Sequence, residues 1–292
     1  MELKNLESFI QAAELGSFTR AAKKLGYTQS TISFQIKQLE EELKVQLFER
    51  VNHTVKLTRT GSELLKLAHQ IMKNASEMKK TAGNRQSLHG CIRIAIAASL
   101  SSWLFQTHFE PFHRAYPYLT LKVISGSTEE MFRLLNQNEV DLVYTLDKHL
   151  YNRNYVIACE EPVGVHFVAA PSHPLNLMKE RTIEQILDVP SILTEKNMSY
   201  RTLLEEHLAS KSMAIDPFLE IGDTTLICQL VERGLGISFL PDFVTEEAVA
   251  RGSLVRLEMP DIHLQIWKQL LYHRDKWVSS EMESVIEHLI RC

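Results

Sequence analysis

Between Gly16 and Leu39 the apolar positions fall into two short runs at helical spacing. Phe18, Ala21, Ala22 and Leu25 predict one helix, with Ser17 placed to cap its start. Gly26 follows where a helix end needs positive φ, and Thr28 is placed to cap a second helix. On that second helix Ile32, Ile36 and Leu39 form the apolar stripe, and the opposite surface offers Gln29, Ser30, Ser33, Gln35 and Lys37. Amides and hydroxyls at that spacing match the donor and acceptor pattern of base edges, and a lysine answers phosphate. A polar helix face that is merely solvated has the same appearance, so the flanking pattern decides. Leu3, Leu6, Phe9, Ile10 and Ala13 predict an earlier helix over residues 3–13, completing a three-helix cluster.

After Leu39 the segment FERVNHTVKLT alternates like a hairpin around an Asn-His turn, with Arg50, His53 and Lys56 on it. Helices followed by a basic hairpin predict an all-α-rich winged helix-turn-helix over residues 1–58. From Thr58 no proline occurs until Pro111, and Leu64, Ala68, Ile71, Ala75 and Met78 recur at intervals of four and three. Such a seam needs a partner helix and predicts a dimer. Gly83 to Ser87 contains no apolar residue and reads as a hinge, which makes 59–87 a linker helix with its hinge.

Beyond the hinge strands alternate with helices. CIRIAIA, LTLKVIS, VDLVYTL, VGVHFVAA, PSILT, FLEIG, GISFLP and HLQIWKQLLYH read as strands. Leu104–Tyr116, distorted at Pro111, Thr128–Leu135 and Val278–Ile290 read as helices. This alternation predicts parallel sheets covered by helices over residues 88–292. Ligands in such sheets sit beyond strand C-terminal ends, at helix N-termini. Small hydroxyl residues follow three strands there, in Ala98–Ser102, Ser125–Thr128 and Asp223–Thr225, where each could also be a plain helix cap.

Charge sharpens this division. Residues 1–86 hold 14 Lys+Arg against 9 Asp+Glu, and the remainder 18 against 27. An excess of cations confined to one end suits phosphate binding there. The N-terminus lacks a signal-peptide pattern and no run approaches a membrane span, which predicts a cytoplasmic protein with no membrane partner. Cys91, Cys159, Cys228 and Cys292 are far apart and read as reduced thiols, although distant cysteines can meet in space as a redox pair. No G-x-S-x-G, P-loop, G-x-G-x-x-G or H-E-x-x-H occurs. His108 and His113 fall on different helix faces. Neither an enzyme, a metal site nor a cofactor is expected.

Residues 1–61, above all SFTRAAKKLG, TQSTIS and LEEEL-VQLFER, closely resemble the N-terminal domain of LysR-type transcriptional regulators. PSHPL, ERGLGISFLP and the C-terminal strand and helix resemble that family's effector domain, which is like periplasmic binding proteins and has two subdomains. The resemblance implies subdomain I near 88–161 and 266–292, and subdomain II near 162–265. It also implies double-stranded DNA and a small metabolite, such as an organic acid, as partners, and a homodimer or homotetramer. Carried across by position, Gln29, Ser30, Thr31, Ser33, Gln35, Lys37, Arg50, His53 and Lys56 become the DNA-binding residues. Ser99, Ser101, Ser127, Thr128, Tyr144, Thr194, Arg201 and Thr225 become the effector-binding residues. Two positions depart from the pattern: Ser30 where the family usually has proline, and Phe34 where it usually has arginine. The resemblance implies regulation of transcription through a change of angle between the subdomains. A thiol-switched regulator of the same architecture is the alternative, although no cysteine lies between Cys159 and Cys228, where the peroxide-sensing branch keeps its pair. A solute-binding module or enzyme without DNA function is the other.

Overall fold

The computed structural model describes residues 1–51, 54–81, 88–178, 181–259, 262 and 264–290. The expected hinge at Gly83–Ser87 and the wing turn Asn52-His53 lie outside the described residues.

Helices α1 (Leu3–Leu15), α2 (Phe18–Leu25) and α3 (Gln29–Leu43) form the N-terminal cluster. The local chemistry works as the sequence predicts. Ser17 accepts from the Arg20 N–H, Thr28 accepts from the Thr31 N–H, and Gly26 adopts φ 72° in the left-handed region. Phe9 and Phe18 both meet Phe48 edge-on, at centroid distances of 5.6 and 5.3 Å, over buried Ile10, Ile32, Ile36 and Leu39. Strands β1 (Phe48–Val51) and β2 (Thr54–Leu57) pair antiparallel, Phe48 opposite Leu57, as the wing.

Helix α4 (Arg59–Thr81) follows, and the Thr58 hydroxyl caps its start by accepting from the Gly61 N–H at 2.8 Å. Gly61 permits a close crossing, because a Cβ there would stand 2.2 Å from the Leu47 carbonyl oxygen. The seam expected to need a second chain is partly satisfied at home. Ala68 is buried in the N-terminal core, with Leu64 and Ile71 packed against it, while Leu67 and Met78 stay open.

The remaining elements are β3 (Gly90–Ile96), α5 (Ala98–Thr107), α6 (Phe109–Ala115), β4 (Leu119–Ser125), α7 (Thr128–Asn136), β5 (Leu142–Asp147), β6 (Tyr155–Ala169), α8 (Ile183–Leu187), β7 (Ile192–Leu193), α9 (Ser199–Ser210), β8 (Leu219–Glu220), α10 (Thr224–Glu232), β9 (Ser238–Pro241), α11 (Asp242–Ala250), β10 (Val255–Leu257), β11 (Leu264–His273) and α12 (Ser280–Ile290). The helix expected through Pro111 is two helices meeting at His108, since proline cannot donate to the preceding turn and its ring crowds that carbonyl.

Seven strands form one mixed sheet in the order β10-β6-β11-β5-β3-β4, with β9 also on β6. Parallel pairing holds for β3 with β4 and β5, and for the separate pair β7–β8. The expectation of wholly parallel sheets fails at β6 and β11. These are 15 and 10 residues long and pair antiparallel, β11 along its whole length and β6 from Tyr155 to Val165. Strand β6 pairs with β11 at one end and with β9 and β10 at the other, so one sheet runs through both halves of the domain. Because β3, β4 and β5 are parallel, Ala97, Gly126 and Asp147 come to one edge, and the Ser199 hydroxyl of α9 donates to the Leu146 carbonyl there, marking the half that contains α9 and α10.

Candidate DNA-reading face and effector cleft

Helix α3 turns Ile32, Ile36 and Leu39 into the core and leaves Gln29, Ser30, Phe34 and Lys37 exposed, with Thr31 and Ser33 at its margins. Among the described residues Gln38 Oε1 accepts from Asn5 Nδ2 on α1 at 3.2 Å, and the other outward polar groups of α3 bond among themselves. Gln29 Nε2 donates to Ser33 Oγ at 3.1 Å, and Thr28 Oγ1 lies 2.8 Å from both the Ser30 and the Thr31 hydroxyls. Lys37 Nζ stands 3.6 Å from Glu41. Exchanging such exposed contacts for contacts to a ligand costs little. Lys56 is exposed on β2, opposite Glu49. The Arg50 side chain and His53 lie outside the described residues.

Gln35 is a correction. It is 5% exposed and its Oε1 accepts from the Ser8 hydroxyl at 2.6 Å. This buried bond joins α1 to α3, so Gln35 orients the reading helix from behind.

The predicted effector residues separate into groups. Ser99 on α5 shares a 3.3 Å hydrogen bond with the Tyr200 hydroxyl on α9, and Thr194 approaches the same phenol without a bond of good geometry. Burial pushes the Tyr200 phenol up to about 12. Nearby, Gln106 on α5 donates to Thr225 Oγ1 at 3.4 Å, and Asp223 caps α10 by accepting from the Thr225 and Leu226 N–H groups. The structure therefore brings Ser99, Thr194 and Thr225 to the contact between the halves, adding Tyr200 and Gln106. Ser101 is half-buried on α5.

The other expectations find structural partners. Ser127 caps α7 by accepting from the Glu130 N–H, and the Thr128 hydroxyl donates to Asp147 at the end of β5. Tyr144 is 4% exposed within the core of the sheet. Arg201 is 1% exposed, with Nε on Glu205 at 2.8 Å and Nη2 3.9 Å from Glu220, while among the described residues neither Nη1 nor Nη2 makes a hydrogen bond.

A second charged cluster joins the N-terminal helices to the sheet. Asp141, immediately before β5, accepts from the Arg93 backbone N–H and from Nε at Oδ2, and from Nη2 at Oδ1, over 2.7–3.1 Å. Lys276 Nζ stands 2.8 Å from Asp141 and Lys24 Nζ, from α2, 3.8 Å. Burial alone would raise the Asp141 carboxyl, but Arg93, Lys276 and Lys24 hold it far below the usual carboxylate range. The same burial pushes Lys24 down to about 8. Glu14 on α1 completes the contact: Oε1 accepts from the Trp277 backbone N–H at 2.8 Å, while Oε2 lies 3.9 Å from Lys276. The Trp277 ring packs on the N-terminal core. The signal for this cluster was an arginine and an aspartate set in apolar strands.

Burial pushes the Cys228 thiol up to about 11 and raises that of Cys159. Cys91 is exposed, and Cys292 lies outside the described residues. Among the described residues no cluster of His, Cys, Asp and Glu is arranged to hold a metal, and no helix is long and apolar enough to cross a membrane.

This geometry is shared with known proteins. A family model described as "LysR substrate binding domain" matches residues 85–291, and one described as "Bacterial regulatory helix-turn-helix protein, lysR family" matches residues 3–62. The HTH-type transcriptional regulator YwqM of Bacillus subtilis (strain 168) is 31% identical over 288 residues, covering 98% of both chains. Full-length BenM superimposes with a TM-score of 0.54 at 26% identity, covering 100% of this chain and 96% of BenM. CrgA, a LysR-type transcriptional regulator from Neisseria meningitidis, does so with a TM-score of 0.58 at 21% identity, covering 100% and 98%.

Proposed function

We propose, on the premise that this chain belongs to the LysR family of transcriptional regulators, that it reads a specific DNA sequence with α3 and answers to a small molecule held between the halves of its C-terminal domain. One observation carries the effector half of this reading. Where α5 meets α9 and α10, the halves touch through two long hydroxyl hydrogen bonds, Ser99–Tyr200 and Gln106–Thr225. Among the described residues the buried Thr194 hydroxyl, beside the Tyr200 phenol, makes no hydrogen bond of good geometry. A ligand offering hydrogen-bond acceptors and donors satisfies these groups and closes the halves around it, at little cost in bonds given up.

The DNA half rests on the outward face of α3. Gln29, Ser30, Thr31 and Ser33 contact bases or backbone, while Lys37 and Lys56 contact phosphate. Two chains pair through the open part of α4, around Leu67 and Met78, placing two reading helices on one duplex. Raised thiol pKa values at Cys228 and Cys159 disfavour the thiol-switched alternative, since the thiolate is the reactive form.

Two measurements on the full-length protein test this. Footprinting on duplexes selected from a random pool should give one protected site, and the absence of any protection refutes the DNA reading. A thermal-shift screen of small metabolites should give a stabilising compound whose effect is lost in Tyr200→Phe and Ser99→Ala. A stabilising compound that binds both variants equally well moves the effector site elsewhere.

A further inference from the structure

Phe34 occupies the middle of the reading face. At about 100° per residue it lies roughly 160° from the buried Ile32 and Ile36, and within about 60° of Ser30, Thr31, Lys37 and Gln38. It is 63% exposed, whereas Phe9, Phe18 and Phe48 of the same domain are all at 9% or below. A lone exposed apolar residue is ordinary on a protein surface. This one differs in its setting, a patch of hydroxyls, amides and a lysine that otherwise has the chemistry of base and phosphate contact.

We propose that Phe34 reads the 5-methyl group of a thymine in the major groove. The inference rests on the reading of α3 as the DNA-contacting helix and deepens it by naming what one position recognises. A phenyl ring offers neither donor nor acceptor, so against guanine, adenine or cytosine it would strip water from polar base-edge atoms and return nothing. The thymine methyl is the apolar feature of the major-groove edges, and burying it against the ring gains free energy with no polar group left unpaired. The flanking Ser30 hydroxyl lies at a suitable angle to satisfy a polar edge of the same step. The contact is a selective one, in which thymine is accepted and the other bases are penalised by desolvation.

Deoxyuridine pairs as thymidine does and lacks only the methyl, so it isolates the contact. The full-length protein is used to select its preferred site from random duplexes, and each thymine of that site is then replaced singly by deoxyuridine in competition gel shifts at fixed salt. One thymine in each half-site should show about a fourfold loss of affinity, the worth of one buried methyl. Phe34→Ala should bind thymine and deoxyuridine at that position equally while keeping its salt dependence. Phe34→Leu, still apolar, should keep part of the difference. The exposed position makes both variants safe for folding.

Wild-type indifference to deoxyuridine at every thymine overturns the inference, as does a penalty that Phe34→Ala retains in full. Altered self-association of Phe34→Ala with unchanged base discrimination assigns the ring to a protein contact and overturns it as well. In each of these cases a selected site still exists, so the DNA reading of α3 stands. Recovery of no preferred sequence overturns that reading, and this inference with it.

Discussion

Glu14→Ala probes the contact that fixes the N-terminal domain to the sheet. The Glu14 side chain is 4% exposed, and its two oxygens face the Trp277 amide at 2.8 Å and Lys276 at 3.9 Å. Removing it leaves a backbone N–H without its acceptor and takes one carboxylate from Lys276, which retains Asp141 at 2.8 Å. A hydrogen bond to a charged group contributes about 1.5–3 kcal/mol, and orphaning its donor costs in the same range. If the docked arrangement opens as a unit, the Trp277 amide proton reports that opening directly. At about 1.4 kcal/mol per factor of ten, its hydrogen exchange should accelerate roughly ten- to a hundredfold. Amides in the β6–β11 pairing, which do not depend on the contact, should keep their protection. A double-mutant cycle with Lys276→Met should give a coupling of about 0.5–3 kcal/mol, the range for residues in direct contact. Unchanged Trp277 exchange in Glu14→Ala, or strict additivity with Lys276→Met, refutes the argument that this carboxylate holds the two domains together.

Three further outcomes follow from the same geometry. Lys24, held at about 8 when docked against about 10.4 when free, binds fewer protons in the docked state, so docking strengthens from pH 8 upward to about 10.5. Melting of the wild type between pH 7.5 and 9.5 should improve relative to Lys24→Met, and parallel pH profiles would refute this. Gln35→Ala should lower stability by about 1–3 kcal/mol through the orphaned Ser8 hydroxyl while the selected DNA site stays the same; an altered site with unchanged denaturant midpoint contradicts it. Lys37→Ala should reduce the slope of log affinity against log salt by about 0.9 for each phosphate no longer neutralised, and Lys24→Ala should leave it alone, since only Lys37 faces outward.

The sequence revealed what is local and hid what is distant. Ser17, Gly26 and Thr28 announce helix ends because capping involves neighbours three or four residues apart, and all three perform those roles. The apolar runs mark the strands for the same reason. Pairing direction was not legible, because whether β11 runs against β6 is decided by contacts about a hundred residues apart in the chain. Gln35 departs from the expectation, and its place in the sequence carries the clue. It lies three positions after Ile32 and four before Leu39, on the flank of the buried stripe, and its chemistry alone suggested base contact. Tyr200 was missed because an aromatic residue in a helix gives no sign of which half of the domain its hydroxyl will meet. Lys24 likewise counted toward a basic DNA-binding end, whereas its ammonium is turned toward Asp141.

The position of the Asp141 cluster constrains how any closure of the cleft reaches DNA. Arg93, Asp141, Lys276 and Trp277 all belong to the half of the domain built on β3, β4 and β5. Asp141 immediately precedes β5 and Asp147 ends it beside the cleft, a span of about 20 Å at about 3.3 Å per residue. Strands β3 and β5 are hydrogen-bonded neighbours, which makes that span stiff. The N-terminal domain therefore contacts this half, with Glu14 accepting from the Trp277 amide, and in the proposed closure the moving part is the half that contains α9 and α10. In a dimer joined through α4, such a movement alters the distance between reading helices only if the second half itself touches the other chain. Closure of the cleft and the geometry of assembly are then one coupled variable, and a variant that frees Glu14 uncouples the reading helices from both.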